Sequence, residues 1–407
     1  MLYRYAHPEW FEGINEPDLH VFSGSIIIHG TEGMGALAAH AIAKQGIEYV
    51  CFTDNDVRKQ GNSFFGHNVI SPEQAYELYP DSLVFIACLT LNVVQKQLSD
   101  IGFKELYSCY SLFKEVDLDG FDYHRSAEYI GRSADSYLGT CLEAMGRLPD
   151  NVMVNLSLYT TTRCTLRCKH CSQLIPYIKD QKDYSSDEFI EIVEKLTGVG
   201  FYIITLLITT GEPFLYSDLH KLLSRFAPNS SIEKIYIVTN ATLLPNEALL
   251  EVLKSDPKIV VRMSNYGTLS TKLDSLIEIF NNNGTNYEVT DFNFWKIEDK
   301  MQNLNLNPEE LKAKFDNRTC FRHSGVVAKG KLYICPGAAS IELTSDFEQD
   351  EDAVLDFSNC KLSDNQIYEK VIGMLLRDKP TTACQYCVSR SYGENIIKVP
   401  VAEQLEG

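Results

Sequence analysis

The amino-acid sequence predicts an α/β protein with parallel sheets, and three observations support this fold class. Short β-branched runs alternate with helical patterns over residues 25–53 and again over residues 152–289, an alternation typical of parallel sheets. Residues 201–208 are almost continuously apolar, as expected of a strand buried on both faces of its sheet. A glycine turn at residues 30–35 lies between a strand and a helix, as in a βα unit that approaches a ligand.

The first βαβ unit is predicted from three consecutive patterns. A strand at Ser25–Ile28 leads into an alanine-rich helix at Ala36–Gln45, and a second strand covers Ile47–Thr53. A further strand is predicted at Leu83–Cys88, after which the α/β pattern fades near Ser111. We therefore expect about half of a doubly wound dinucleotide-binding fold, and no complete NAD site.

The turn of this unit carries Gly30, Gly33 and Gly35 in the spacing G-x-x-G-x-G, which differs from the dinucleotide fingerprint G-x-G-x-x-G. Glycines let the backbone approach a phosphate, and the helix N-terminus presents free N–H groups to it. Asp54 ends the second strand, where an acidic side chain can accept hydrogen bonds from a ribose. The alternative is a glycine turn that packing alone requires.

The central region begins with a strand at Val152–Tyr159. A capping box formed by Ser185 and Glu188 is predicted to start the next helix, and a strand follows at Phe201–Ile208. The remaining elements are predicted in this order: helix Asp218–Phe226, strand Ile235–Val238, helix Asn246–Leu253, strand Ile259–Met263, helix Ser270–Asn281 and strand Tyr287–Val289. Five or six βα units fit a partial barrel, with the functional residues at the C-terminal ends of the strands.

Cys164, Cys168 and Cys171 follow the first central strand in the spacing C-x3-C-x2-C. Cube-type iron–sulfur clusters normally take four cysteine ligands, so three closely spaced thiolates suggest a cluster with one iron left for a small molecule. Two alternatives remain open from the spacing: a zinc site with His170 as the fourth ligand, and three unrelated core thiols.

The segment Arg163–Cys171 resembles the radical S-adenosylmethionine (radical SAM) superfamily. The resemblance implies a 4Fe-4S cluster on Cys164, Cys168 and Cys171, whose free iron is chelated by the amino and carboxylate groups of SAM. These cysteines would then belong to the catalytic centre.

Three later segments strengthen this resemblance. Thr210-Gly211-Glu212-Pro213 resembles the family's G-G-E-P motif, which meets the SAM amino group, with Thr210 replacing the first glycine. Residues 238–242 resemble the T-N-G-T segment at the SAM pocket, and Ser264 ends the strand that often contacts the ribose. The resemblance implies that Gly211, Glu212, Asn240 and Ser264 bind SAM.

A second group of cysteines lies near the C-terminus and consists of Cys320, Cys335, Cys384 and Cys387. Four thiolates can hold a second cluster, and a zinc site with the same ligands is the alternative. The pattern resembles the twitch extension, related to the larger SPASM domain, of radical SAM dehydrogenases. That resemblance implies an auxiliary 4Fe-4S cluster. Residues 391–407 show no recognisable chemistry.

The N-terminal region resembles the Rossmann-like domains attached to sugar-modifying enzymes, such as nucleotide-sugar acetyltransferases. The resemblance rests on residues 28–35, 50–56 and 66–73, and it implies a nucleotide-sugar at the glycine turn.

Three domains are therefore expected. They are a Rossmann-like domain with a junction segment over residues 1–148, a partial (β/α)6 radical SAM barrel over 149–318, and a small cluster-binding extension over 319–407.

Composition excludes several classes of function. The net charge is −18, and an acidic protein makes a poor partner for nucleic acid. The sequence shows neither a signal peptide at its start nor an apolar run long enough to cross a bilayer, so we expect a cytoplasmic protein without a membrane partner. Its twelve cysteines are then expected as thiols or ligands.

The expected function is reductive cleavage of SAM to a 5′-deoxyadenosyl radical, which abstracts hydrogen from a small substrate. A sugar or nucleotide-sugar that is oxidised or rearranged is the first hypothesis, and a peptide that is matured is the alternative. The resemblance implies an oxidoreductase-type enzyme, with a flavodoxin or ferredoxin as reductant.

Overall fold

The computed structural model describes residues 16–19, 22–31, 33–88, 91–113, 148–292, 294–296, 303–316, 323–345, 347–387 and 398–405. The chain divides into two compact units, Met1–Leu148 and Pro149–Gly407. Cys320 and most of the predicted junction segment lie outside the described residues.

The N-terminal unit contains a parallel sheet with one short antiparallel strand at its edge. The described strands are β1 (Ile26–His29), β2 (Cys51–Thr53), β3 (Ser63–Phe64), β4 (His67–Ile70), β5 (Leu83–Ile86) and β6 (Glu105–Ser108), in the order β3-β4-β2-β1-β5-β6. The helices are α1 (Gly33–Lys44), α2 (Pro72–Leu78) and α3 (Leu91–Ile101). A 3-10 helix at Cys109–Phe113 follows β6.

This sheet is more complete than the sequence predicted. Its five parallel strands, numbered along the chain, lie in the order 3-2-1-4-5, which is the doubly wound order without a sixth strand. The expectation of half a fold was wrong because β6 is partly exposed and mixes polar with apolar residues. Such a strand gives little hydrophobic signal in the sequence.

The second unit contains a larger sheet in the order β11-β10-β9-β8-β7-β13-β14-β15. Its strands are β7 (Val152–Tyr159), β8 (Tyr202–Thr209), β9 (Ile232–Thr239), β10 (Ile259–Asn265), β11 (Tyr287–Asp291), β13 (Ser324–Ala328), β14 (Lys331–Tyr333) and β15 (Val354–Asp356). Strands β7 to β11 are parallel, and β13 pairs parallel to β7. This is the mixed α/β architecture, with parallel strands, of a partial barrel.

Helices cover one face of this sheet. They are α4 (Ser186–Gly198), α5 (Leu219–Phe226), α6 (Glu247–Leu253), α7 (Leu273–Asn283) and, from the C-terminal part, α10 (Asp364–Leu375). Their apolar faces join the strands in one buried cluster that includes Phe189, Leu222 and Phe280. Because this face is closed, the chemistry must use the other face or the strand ends.

Two predicted helix starts differ from the structure. Ser185 is the N-cap of α4, but its side chain makes no capping hydrogen bond. Instead the Ser186 hydroxyl donates to Asp218, the N-cap of α5, at 2.7 Å. Helix α7 begins at Leu273, after the predicted Ser270, because the Ser270 hydroxyl bonds loop backbone before the helix starts.

The C-terminal part of the chain shares this unit. Helix α8 (Pro308–Asp316) and helix α9 (Pro336–Thr344) flank β13 and β14, and β12 (Trp295–Lys296) pairs antiparallel with β16 (Lys398–Val399). The expected extension over 319–407 therefore continues the barrel sheet through β13, β14 and β15. No helix within the described ranges is long and apolar enough to span a membrane.

The glycine turn after β1 is closely packed. A Cβ at Gly30, whose φ is +109°, would lie 2.5 Å from the carbonyl oxygen of Ala87, beyond β5. A Cβ at Gly35 would lie 2.0 Å from the carbonyl oxygen of Gly30. Both glycines are therefore required for α1 and the two strand ends to approach each other.

Gly35→Ala should destabilise the N-terminal unit by about 3 kcal/mol, because neither the turn nor α1 can move without disturbing the buried sheet. Gly373→Ala in α10 is the control, since its Cβ meets no atom within 4 Å and alanine favours a helix. Denaturant unfolding measures both changes. Equal stability of the two variants would contradict the packing argument.

Candidate active site

Most of the residues singled out in the sequence of the second unit lie at the C-terminal ends of consecutive parallel strands. The cysteine loop follows β7, Gly211 and Glu212 follow β8, and Asn240 follows β9, while Ser264 belongs to the end of β10. These strands are neighbours in the sheet, so their ends form one continuous rim.

The three cysteine thiols lie near one another. Burial is the main cause that raises the pKa of Cys164 to about 12; negative charge on Glu212, Cys171 and Cys168 contributes in the same direction, and the hydrogen bond from the Leu166 N–H opposes it. Burial likewise raises the pKa of Cys168 to about 11, with a further contribution from Cys171. Thiols in this setting stay protonated unless a metal stabilises the thiolate form.

Hydrogen-bond donors point at two of these sulfur atoms. The Cys164 Sγ atom accepts from the Leu166 backbone N–H at 3.5 Å and from Asn240 Nδ2 at 3.6 Å. The Cys168 Sγ atom accepts from Gln404 Nε2 at 3.3 Å. Such donors stabilise thiolate ligands, so the triad fits a cluster bound through sulfur.

The zinc alternative depends on His170 as its fourth ligand. Within the part of the chain that the structure describes, no three His, Cys, Asp or Glu side chains gather closely enough to hold one ion. His170, the fourth ligand of the zinc alternative, instead lies 3.5 Å from the Glu403 carboxylate.

The cysteine loop is anchored at its first residue. Arg163 donates from Nε and Nη2 to the Asp183 carboxylate at 2.9 and 2.6 Å, and from Nη2 to the Leu215 carbonyl at 2.6 Å. A Cβ at Gly211 would lie 2.1 Å from the Arg163 carbonyl oxygen, which also accepts from the Glu212 N–H at 2.9 Å. Gly211 is therefore required for the two loops to meet.

Thr210 and Ala241 stand where the family motifs have glycine, and both keep a backbone conformation that favours glycine. Thr210 has φ +106° and Ala241 has φ +57°, so both adopt the left-handed region that favours glycine. Holding a non-glycine residue there costs on the order of 1–2 kcal/mol. The local backbone of both motifs is thus retained although the residue types differ.

Glu212 is completely buried and its carboxylate ties two strand ends together. Oε1 accepts from the Phe214 N–H at 3.0 Å and the Thr239 hydroxyl at 2.8 Å, and Oε2 accepts from the Asn240 N–H at 2.8 Å. Burial raises the pKa of Glu212 to about 7, although these three hydrogen bonds act in the opposite direction.

Asn240 connects the end of β9 to the cysteine loop. Its Nδ2 donates to the Thr165 hydroxyl at 3.0 Å as well as to Cys164, and its Oδ1 accepts from the Thr242 N–H and hydroxyl at 3.1 and 2.6 Å. On the next strand, Ser264 is buried and hydrogen-bonds the side chain of Tyr266.

The C-terminal segment also belongs to this site, and the sequence analysis missed it. The Lys169 N–H donates to the Glu403 carbonyl at 2.7 Å, and the Leu405 N–H donates to the Arg167 carbonyl at 2.8 Å. The sequence suggested no role for residues 391–407, whereas the structure places part of them against the cysteine loop. These residues contain no cysteine and meet a loop 236 residues away in the sequence, so no local pattern indicated the contact.

The second cysteine group is only partly described. Cys335 is the N-cap of α9, where its Sγ accepts from the Ala338 N–H at 3.3 Å. Cys384 lies in a 3-10 helix at Thr382–Gln385, which packs with Cys335 in one small cluster through Ala383. Cys387 follows it, and its N–H donates to the Cys384 carbonyl at 3.4 Å.

The predicted nucleotide residues of the N-terminal unit are engaged within the protein. The Asp54 carboxylate accepts from the Thr31 N–H and hydroxyl at 3.1 and 2.5 Å, and pairs with Lys59 at 3.3 Å. Gly33 is buried at the start of α1. Together with the packing of Gly30 and Gly35, these contacts account for the turn without a ligand.

Residues 158–264, which span the cysteine loop and the next three strands, match the family model of the radical SAM superfamily. This part of the chain is a radical SAM domain. Proteins of this family bind a 4Fe-4S cluster and SAM, and these are the cofactors of the domain.

Two curated relatives are GTP 3′,8-cyclases. That of Limosilactobacillus fermentum is 30% identical over 104 residues, which are 25% of this chain and 30% of the relative. That of Listeria welshimeri is 32% identical over 114 residues, or 28% and 32% of the two chains. This chain thus spans about a third of the length of these relatives.

Among solved structures, BtrN in complex with AdoMet and 2-DOIA is 14% identical, with a TM-score of 0.37. The match covers 62% of this chain and 96% of BtrN.

Glu212→Gln should change how stability depends on pH. The folded-state pKa of Glu212 is raised from 4.5 to about 7, so its stability contribution is fully present below pH 4.5 and is lost as the pH rises through 7. The wild type should therefore lose on the order of 3 kcal/mol relative to the variant across this range. Denaturant unfolding of SAM-free protein from pH 4.5 to pH 8 measures the difference. A constant difference would mean that the carboxyl is ionised throughout.

Proposed function

We propose that this protein is a radical SAM enzyme that holds its catalytic 4Fe-4S cluster on Cys164, Cys168 and Cys171 and acts on a sugar or nucleotide-sugar. The observation that carries the proposal is the meeting of these cysteines with Glu212 and Asn240 on one rim of parallel strands. When bound and reduced, the cluster supplies the electron that cleaves SAM to methionine and a 5′-deoxyadenosyl radical, which removes hydrogen from the substrate.

The protein residues have distinct roles in this proposal. Leu166 and Asn240 donate to the Cys164 sulfur and stabilise its thiolate form. Glu212 fixes the ends of β8 and β9, and its three acceptor contacts leave one of about four lone-pair sites for the SAM ammonium group. Gly211 and Ser264 lie on the same rim and complete the SAM pocket.

On β9, β10 and β11, part of the sheet face opposite the helices carries polar side chains, and this supports a hydroxylated substrate. Alternate residues of β9, β10 and β11 pack into the apolar cluster beneath the helices, among them Ile235, Ile237, Val261 and Met263. Side chains alternate along a strand, so Tyr236, Arg262 and Glu288 face the other side.

These three polar side chains form one group. Arg262 is only 7% exposed, and its guanidinium donates from Nε and Nη2 to Glu288 Oε2 at 3.2 Å each. It also lies over the Tyr236 ring at 4.3 Å, and the Tyr236 hydroxyl donates to Glu288 at 3.2 Å. Hydroxyls and phosphates of a nucleotide-sugar are the groups that such side chains bind.

Oxidation of the substrate requires an acceptor for a second electron. We assign this role to an auxiliary 4Fe-4S cluster on Cys320, Cys335, Cys384 and Cys387, which makes the enzyme an oxidoreductase. A flavodoxin or ferredoxin would reduce the catalytic cluster.

The reconstituted, reduced protein should form 5′-deoxyadenosine faster with one nucleotide-sugar than with buffer alone. The panel contains nucleotide-sugars, free sugars, GTP and peptides, and mass spectrometry measures the product under anaerobic conditions. A response to peptides alone would favour the peptide-maturing alternative. No 5′-deoxyadenosine from iron-loaded protein would reject the enzyme proposal.

Arg262→Gln should raise the KM for the responding substrate at least tenfold and leave the substrate-free formation of 5′-deoxyadenosine unchanged, since a charge-assisted contact contributes about 1.5–3 kcal/mol. The matched control is Arg225→Gln on the exposed side of α5, where Arg225 pairs with Glu194. Equal KM values for the two variants would exclude this face as the substrate site.

Cys164→Ala should remove about four irons per chain and all SAM cleavage, because the catalytic cluster loses a ligand. Cys360→Ser is the control, since Cys360 packs against the apolar cluster under the helices. Iron analysis and 5′-deoxyadenosine formation report both effects. Full iron content and activity in the Cys164 variant would refute the ligand assignment.

A further inference from the structure

The C-terminal strap, defined as residues 399–405, runs antiparallel to the cysteine loop. Its start is fixed because Val399 pairs with Trp295, whose ring packs edge-on against Tyr266 at 5.4 Å. Its end is joined to the loop by backbone hydrogen bonds on both sides of Cys168, and Cys168 itself forms a β-bridge with Gln404. The strap therefore pairs, as a short strand, with the part of the loop that contains Cys168.

Both the oxygen and the nitrogen of the Gln404 side-chain amide form hydrogen bonds in this contact. Its Oε1 accepts from the Arg167 N–H at 2.8 Å. Its Nε2 donates to the Cys168 sulfur at 3.3 Å and to the Ala402 carbonyl at 2.6 Å. One side chain thus holds the loop backbone, the strap backbone and the sulfur in fixed relative positions.

The geometry of the strap directs this amide at the sulfur. Ala402 is completely buried and has φ +49°, so the chain turns sharply just before Gln404. Glu403 pairs on the solvent side with Lys169 at 3.1 Å and His170 at 3.5 Å. These ion pairs are partly exposed and weak, so backbone contacts and Gln404 carry most of the attachment.

We propose that the C-terminal strap is part of the cluster site and that Gln404 is a positioning residue that sets the orientation and reduction potential of the cluster through Cys168. This inference rests on the proposed assignment of the catalytic cluster to Cys164, Cys168 and Cys171. Reduction places more negative charge on the cluster sulfur atoms, and an N–H donor stabilises that charge. Gln404 therefore raises the reduction potential and makes the cluster easier to reduce.

Gln404→Glu tests the donor separately from the acceptor. Glutamate keeps an oxygen for the Arg167 N–H, but it replaces the donor to Cys168 by a second oxygen. The midpoint potential of the catalytic cluster should shift to more negative values, as measured by redox titration of the EPR signal that changes on addition of SAM. Gln45→Glu is the control, because it makes the same charge change at an exposed residue of the other unit.

Gln404→Met tests the same residue without added charge. Methionine has a similar length and neither donates nor accepts through an amide, so both contacts to the loop are lost. The potential should again fall, and amide exchange at Arg167 in the cluster-free protein should become roughly tenfold faster, as expected when one hydrogen bond is lost. If the Gln404→Met variant takes up no cluster, faster amide exchange at Arg167 with an unchanged melting temperature of the variant still supports the proposal.

Potentials equal to that of the wild type in both variants, together with unchanged amide exchange at Arg167, would overturn the inference. Failure of the proposed function is distinguishable from this result. If Cys164→Ala retained the SAM-sensitive EPR signal, the cluster assignment itself would be wrong, whatever the Gln404 variants showed.

Discussion

The site depends on one buried carboxylate. Glu212 lies at the end of β8 and accepts hydrogen bonds from its own loop and from the end of β9, so it fixes two strand ends relative to each other. The Asn240 backbone that it holds carries the side chain that reaches Cys164 and Thr165. Burying a carboxylate without a cation is costly, and three donors reduce this cost only in part. A bound cation, such as the SAM ammonium group of the proposed function, would stabilise the ionised form of this carboxyl.

Much of this arrangement could be predicted from the sequence. Strand β7 has the predicted bounds, and most other predicted elements of the barrel differ by one to three residues at their ends, because the apolar runs are long and the glycine turns are clear. The replacements at Thr210 and Ala241 were harder to interpret, since residue type alone suggests a changed backbone. The structure shows positive φ at both, which local propensity cannot predict because tertiary contacts impose it.

Other features lacked a signal in the sequence. The strap contains no cysteine or glycine, and it pairs with the cysteine loop over a separation of 236 residues. In the N-terminal unit the sequence pattern suggested a phosphate turn, and the structure shows that Gly30 and Gly35 are also required for the packing of α1 against two strand ends. A glycine spacing indicates that the backbone lies close to another group. It does not show whether that group belongs to a ligand or to the protein itself.

The pairing of β13 with β7 has a consequence for synthesis of the chain. Strand β7 precedes the cysteine loop, and one of its edges is covered only when residues 324–327 have been made, about 170 residues later. The strap is made later still. A growing chain thus exposes the cysteine loop beside an open sheet edge while these roughly 170 residues are synthesised. Delivery of iron and sulfide only after β13 has paired with β7 would avoid both misplaced metal and edge-to-edge association.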